Sequence, residues 1–189
     1  MSHNLLKGKK GIIFGALNDM SIAWKVAERA HEEGATFTLT NAPIAMRMGA
    51  INDLAEKTNS KVIPADATNV EELKNLFSES QEILGGKVDF VLHSIGMSPN
   101  VRKKKKYTGL NYEWYKQTLD VSAMSLHKVL QVASEMDAIN EWGSVVALTY
   151  IAAQRIFPDY NDMADAKSLL ESITRSFGYH YGTSKKVRV

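Results

Sequence analysis

The sequence predicts an α/β protein: a doubly wound, Rossmann-like parallel sheet with helices on both faces. Three observations predict it. Short apolar runs alternate with longer stretches of helical period, the pattern of successive right-handed βαβ units. The first apolar run leads into a glycine turn and a serine-led helix, an arrangement suited to a pyrophosphate. Small and polar residues recur just after later runs, where ligands bind in such sheets.

The strands are read, in order, as GIIF (Gly11–Phe14), TFTLT (Thr36–Thr40), KVIPA (Lys61–Ala65), VDFVLHS (Val88–Ser94) and GSVVALT (Gly143–Thr149). Each is short and largely apolar, as a strand buried on both faces must be. Helices are expected over Ser21–Glu33, Ala45–Lys57, Val70–Leu84, Tyr112–Met136 and roughly Tyr160–Tyr181. In the first helix Ile22, Val26 and Ala30 fall on one face with charges opposite. The closing KKVRV (Lys185–Val189) reads as the opening of a sixth strand. No repeat or low-complexity linker interrupts the alternation, so residues 1–189 read as one dinucleotide-binding domain, C-terminally incomplete.

Composition narrows the chemistry. With 189 residues, 44% hydrophobic and 23% charged, the chain can bury a sizeable core. A net charge of +2 is too mild to make nucleic acid the main partner. The absence of cysteine excludes disulfides, thiolate catalysis and iron–sulfur clusters. The five histidines are scattered, so no metal site is expected. MSHNLLKGKK turns basic before any apolar run, and GSVVALTYIAA is too short to cross a bilayer, so a cytoplasmic location without membrane insertion is expected.

The first turn, FGALNDMSIAW, lacks the G-x-G-x-x-G fingerprint but meets the same physical needs. Gly15 permits a tight turn off the strand, Ser21 is a good N-cap, and Ala23 allows close helix–sheet packing. Amides near Ser21 and Ile22 can receive a pyrophosphate, although any βα unit begins in a similar way. PADAT puts Asp66 and Ala67 just beyond the third strand, where Asp66 can accept from an adenine amino group or cap the next helix. HSIGMS puts Ser94, Ile95 and Gly96 beyond the fourth, with Gly96 able to let a ribose lie against the backbone. After the second strand, Asn41 can bond a ribose hydroxyl and Arg47 can reach a 2′-phosphate, which leaves both NADH and NADPH open with NADH favoured.

The stretch TYIAAQRIFPDYNDMADAK (Thr149–Lys167) carries the candidate chemistry. Seven residues turn a helix by about 700°, so Tyr160 and Lys167 are expected on one face. An ammonium near the phenol would lower its pKa, and the lysine can also bond a nicotinamide ribose. Tyr150 leaves the fifth strand at the same end of the sheet. For an arbitrary chain, an amphipathic surface tyrosine and a solvated lysine would be the plainer reading.

GALNDMSIAW, HSIGMSP and the tyrosine–six-residue–lysine spacing together resemble the enoyl-acyl-carrier-protein reductases of bacterial type II fatty-acid synthesis, a divergent branch of the short-chain dehydrogenases. The resemblance covers essentially the whole chain. It implies hydride transfer from NADH, or NADPH, to the β-carbon of a trans-2-enoyl thioester. It implies Tyr150, Tyr160 and Lys167 as catalytic residues: Tyr160 by the thioester carbonyl, Lys167 on the nicotinamide ribose, Tyr150 lining the acyl pocket. Gly15, Ser21, Ile22, Asp66, Ala67, Ser94, Ile95 and Gly96 match cofactor-contacting positions, and Met97 and Met163 match substrate-contacting ones. Thr149 departs from the serine common in the family. By the same comparison, a substrate-covering segment and a C-terminal strand are expected to be missing after Val189. A homotetramer is the implied assembly.

VRKKKKY (Val101–Tyr107) concentrates five positive charges, Arg102–Lys106. Such a run is commonly a solvated loop; the sharper reading is a docking site for the acidic acyl carrier protein. Two rival functions stay open on the sequence: a short-chain dehydrogenase acting on a carbonyl, and an inactive nucleotide-binding module.

Overall fold

A computed structural model describes residues 2–47 and 50–189. Five parallel strands, β1 (Lys10–Phe14), β2 (Thr36–Thr40), β3 (Lys61–Val62), β4 (Val88–His93) and β5 (Ile139–Ala147), form one sheet in the order β3-β2-β1-β4-β5. This is the doubly wound, Rossmann-like order. The helices are α1 (Ile22–Glu32), α2 (Pro43–Met46), α3 (Ala50–Thr58), α4 (Val70–Leu84), α5 (Pro99–Arg102), α6 (Tyr112–Leu119), α7 (Ser125–Glu135) and α8 (Asn161–Lys185).

The period of two along each strand divides the core between the sheet's faces. Ile12 of β1 packs with Val91, Val145 and the inner residues of α4, α7 and α8. Its neighbour Ile13 packs with Phe37, Leu39 and Leu92 under α1 and α3. Leu76 and Leu126 are completely buried in the first cluster, where leucine-to-alanine truncation costs about 2–5 kcal/mol. Across the sheet, Thr38 of β2 and Ser80 of α4 share a buried hydroxyl–hydroxyl bond of 2.8 Å.

Several boundaries differ from the sequence reading, each for a local reason. β3 pairs only at Lys61–Val62, although the Ile63 and Ala65 amides still reach β2-side carbonyls, because Pro64 has no N–H to give. β5 begins four residues early, at Ile139, and accommodates the extra length through a register shift opposite Val88–Phe90. The helix expected over Ala45–Lys57 is represented by α2 and α3, with Met48 and Gly49 lying outside the described residues. The stretch expected as one helix over Tyr112–Met136 contains a π-helical segment, Asp120–Met124, between α6 and α7. α8 runs on to Lys185, so the sixth-strand pairing narrows to a bridge between Arg188 and Ser144.

Register decides where the site can be. Phe14 lies opposite both Thr40 and His93, and His93 lies opposite Ala147. The chain therefore leaves β2, β1, β4 and β5 along one row, at residues 41, 15, 94 and 148.

Candidate active site

β1 stands between β2 and β4, so the crevice between β1 and β4 is the switch point of the sheet. Gly15 leaves β1 with φ 88°, donating its N–H to the Thr40 carbonyl at 3.0 Å. A Cβ there would lie 1.9 Å from the Ser94 carbonyl oxygen. Both the backbone conformation and the neighbouring chain therefore require glycine.

Ser21 precedes α1 but does not cap it with its side chain. Instead Ser21 Oγ donates to the Asn18 carbonyl at 2.6 Å and accepts from the Leu17 amide at 3.2 Å, folding the turn on itself. This corrects the expected cap and leaves the first turn of α1 without a side-chain acceptor, as a helix end that receives an anion would be. The expected Ile22 face is also corrected. Ile22 is 62% exposed, whereas Ala23, Trp24, Ala27 and Ala30 are the buried residues of α1. Val26 is only partly buried against the core.

At the neighbouring strand ends, Asn41 Nδ2 donates to the Ala16 carbonyl at 3.4 Å, tying the end of β2 to the first turn. Arg47 is exposed after α2. Asp66 Oδ1 accepts from the Thr68 amide at 2.9 Å and from its hydroxyl at 2.8 Å. The cap of α4 is Asn69, not Asp66: Asn69 accepts from the Glu71 and Glu72 amides. Ala67 is buried, its methyl committed to the core.

Lys167 is the centre of the cluster between β4 and β5. Only 6% exposed, its ammonium donates to the Leu148 carbonyl at 2.7 Å and approaches the Ile95 carbonyl at 3.4 Å. Burial lowers its pKa to about 8. A Cβ built on Gly96 would meet both Lys167 Nζ and Met163 Cε at 3.8 Å, ordinary contact distance. The structure thus gathers Ile95, Gly96, Leu148, Met163 and Lys167.

Tyr150 and Tyr160 form a second group. Their ring centroids are 4.8 Å apart at 51°, and Phe157 lies 5.2 Å from Tyr150. Tyr160 stands immediately before α8, with positive-φ residues Asp159 and Asn161 on either side. Its pKa is raised, first by burial and then by Tyr150. That reverses the lowering expected from Lys167. Among the described residues the phenol and the ammonium share no hydrogen bond, and the lysine's donors turn to main-chain carbonyls instead.

Several side chains around this group were not singled out by sequence. Ser122, in the π-helical segment, accepts from the Met97 amide at 2.9 Å and donates to the Met97 carbonyl at 3.1 Å. Wide helical turns of this kind often occur at functional sites. His93 is fully buried beneath the cluster and shares a 2.8 Å bond with Ser125. Burial, followed by the Lys167 charge, lowers its pKa to about 3, so it is neutral at physiological pH. Thr149 and Gln154 both donate to Glu171 of α8, at 2.9 and 3.3 Å, holding the segment that carries Tyr150. A hydroxyl donor at 149 was readable in the sequence; its partner, 22 residues away, was not.

Residues 102–106 are exposed. The loop is nonetheless fastened to α8: Asn161 Nδ2 donates to the Lys105 carbonyl at 2.6 Å, and Tyr107 donates to Asp165 at 3.0 Å. A cleft of about 650 Å³ between this loop and the segment after Tyr150 is lined by Lys106, Arg155, Phe157 and Ala164, among others. It adjoins the tyrosine pair without including either phenol. Among the described residues, no helix is long and apolar enough to cross a membrane, and no group of three or more His, Cys, Asp or Glu residues is arranged to hold a metal ion.

A family model described as Enoyl-(Acyl carrier protein) reductase matches residues 15–189. The chain is 35% identical over 178 residues to "Enoyl-[acyl-carrier-protein] reductase [NADH] FabI" of Rickettsia bellii, covering 93% of this chain and 66% of that protein. It therefore spans just under two thirds of that relative's length. The crystal structure of FabI from Alistipes finegoldii superposes with a TM-score of 0.98 at 65% identity, covering 100% of this chain and 72% of that one. A FabI–NADH complex from the same organism gives 0.97 at 65% identity, covering 99% and 66%.

Proposed function

We propose, from the premise that the chain belongs to the enoyl-acyl-carrier-protein reductase family, that it reduces trans-2-enoyl thioesters of acyl carrier protein in fatty-acid synthesis, using NADH. The observation that carries this reading is the seating of Lys167 between the Ile95 and Leu148 carbonyls, at the strand ends where Gly96 and Met163 also meet. We take residues 1–189 as one dinucleotide-binding domain of a cytoplasmic homotetramer.

The residues fit NADH on three counts. Gly15 makes room at the switch point, where any side chain would strike Ser94. The uncapped first turn of α1, at Ser21 and Ile22, suits a pyrophosphate. An ammonium has three donors, and Lys167 spends two on carbonyls, leaving one for a ribose hydroxyl. Ser94, Ile95 and Gly96 would line the nicotinamide side, and Asp66 and Ala67 the adenine side. NADH supplies the hydride when bound.

The chain's own residues supply placement and charge stabilisation. Tyr160, its pKa raised, stays protonated at neutral pH and donates to the thioester oxygen as negative charge develops there. Tyr150 packs against that ring, and on this reading it lines the acyl pocket. Met97 and Met163 offer adaptable apolar contact to the acyl chain. Arg102–Lys106 form the docking surface for the acidic carrier protein, through steered association.

Assaying the natural full-length protein with NADH and crotonyl or acetoacetyl thioesters tests this. Reduction of the crotonyl substrate is expected. Turnover of the acetoacetyl substrate alone would assign a carbonyl reductase, and cofactor binding without turnover would assign a non-catalytic module.

A further inference from the structure

We propose that Asp162 is a positioning residue, whose buried carboxylate fixes the start of α8, and with it Tyr160 and Met163, against the segment that carries Gly96 and Met97. The inference rests on the enoyl-reductase reading for the reaction it serves, but the anchoring itself is independent of that reading.

Asp162 lies two residues beyond Tyr160 and is fully buried. An ionised carboxylate removed from water requires hydrogen-bond donors to replace the solvent it loses. Asp162 receives three. Ser98 Oγ donates to Oδ1 at 2.7 Å, Asn100 Nδ2 to Oδ2 at 2.8 Å, and Thr118 Oγ1 to Oδ2 at 2.8 Å, with its one proton shared with the Trp114 carbonyl, also at 2.8 Å. None is cationic, and no salt bridge reaches Asp162 among the described residues. The carboxylate is held by aligned dipoles alone, and these are directional.

The donors belong to separate pieces of chain. Ser98 directly follows Met97 and accepts from the Val101 amide at 3.0 Å, so it also starts α5. Asn100 exchanges bonds with the Asn111 main chain, accepting its N–H at 3.0 Å and donating to its carbonyl at 3.1 Å. This closes the base of the loop bearing Arg102–Lys106. Thr118 belongs to α6, just before the π-helical segment in which Ser122 grips Met97. One carboxylate thus joins the chain after β4, α6 and the first turn of α8. Both flanks of the candidate active site depend on it.

The mechanism described above gives Asp162 no chemical part, and its place in the first turn of a helix would be explained by the dipole alone if it faced water. Its complete burial and three side-chain donors exceed that explanation. Misplacing a reacting group by about 1 Å can cost about a hundredfold in rate. Asp162→Ala should therefore act mainly on kcat, with a smaller loss of cofactor affinity through Gly96, since Lys167 and Gly15 make their own contacts outside the network.

The test compares Asp162→Ala, Asp162→Asn and Thr118→Val in the natural full-length protein. It measures kcat and KM for a crotonyl thioester, NADH affinity by fluorescence, and amide hydrogen exchange by mass spectrometry. For folded Asp162→Ala, kcat should fall about tenfold to a hundredfold with NADH affinity within about threefold of the parent. Asp162→Asn, which keeps the shape and one acceptor, should recover part of the loss. Thr118→Val removes a single donor and should give a smaller loss in the same direction, even if Asp162→Ala does not fold. Exchange should quicken at residues 96–101 and 160–166 while that of α1 stays unchanged. Parental kcat in the folded variants, or unchanged exchange at those segments, would overturn the proposal. An inactive parent would instead overturn the enoyl-reductase reading, leaving the exchange data to judge the anchoring.

Discussion

Tyr150 and Tyr160, ten positions apart in sequence, stand with ring centroids 4.8 Å apart at an inclination of 51°. Tilted contact of this kind favours the ring edge against the neighbouring face and restricts both rings. The pair also keeps the Tyr160 phenol protonated, because burial and a second phenol both disfavour its anion. Tyr160 is therefore a neutral phenol at physiological pH, able to donate a hydrogen bond.

Replacing Tyr160 with phenylalanine keeps the ring contact and removes the donor. The expected result is a fall in kcat of about a hundredfold, the usual scale for losing one donor to a developing oxyanion, with little change in NADH affinity. Steady-state kinetics with a crotonyl thioester and a fluorescence titration separate the two effects. Wild-type turnover would remove Tyr160 from the chemistry.

Lys167 has its pKa lowered to about 8, so two opposite pH trends are expected. Between about 8 and the unfolded lysine's 10.5, the unfolded chain binds the extra proton, so this group makes folding more favourable as pH rises. NADH affinity should fall over the same rise, because the neutral amine loses the charge and one donor. Lys167→Met should abolish both trends and weaken NADH binding. Urea denaturation and fluorescence titrations from pH 7 to 10 check each.

Gly15→Ala places a methyl 1.9 Å from the Ser94 carbonyl at a backbone angle that L-residues rarely adopt. A stability loss of about 1–3 kcal/mol is expected, with weaker NADH binding as the β1 and β4 ends separate. Urea midpoints combined with NADH titration give both quantities. Unchanged values would mean that the turn relaxes without cost.

Glu33 pins the N-terminal segment far from the site, accepting from the Leu5 and His3 amides at 3.1 and 2.9 Å. The Leu5 amide, opposed by burial and aided by the His3 amide and Arg29, lowers its pKa. Its contribution to stability is complete above the ordinary carboxyl value of 4.5 and is lost as pH falls through the lowered folded value. Glu33→Gln should flatten this part of the acid-unfolding profile without altering kcat at neutral pH.

Reversing Lys103, Lys104 and Lys105 to glutamate should raise KM for the carrier-bound substrate, more at low salt than at high, and spare a CoA-linked one. Equal effects on both substrates would remove the docking role from this loop.

The sequence by itself determined the alternation of five buried strands with amphipathic helices, because burial on both faces of a parallel sheet leaves an unbroken apolar signal. α4 and β2 fall on their expected residues, one marked by a long helical period and the other by a β-rich run. The glycine turn was also legible, since it lies within a short continuous stretch; Tyr160, expected on the helix that carries Lys167, instead precedes α8. Tertiary structure decided the rest. Whether Ser21 capped α1 or folded into its own turn depended on nearby main-chain groups, and Lys167's donors were claimed by carbonyls on β4 and β5 loops far away in sequence. Asp162 shows the limit most clearly. Its three donors are contributed by Ser98, Asn100 and Thr118, 44 to 64 positions away, and only the packing of α8 against the chain after β4 brings them to one carboxylate. Local pattern records which face of an element is buried; it does not record which distant polar groups will meet there.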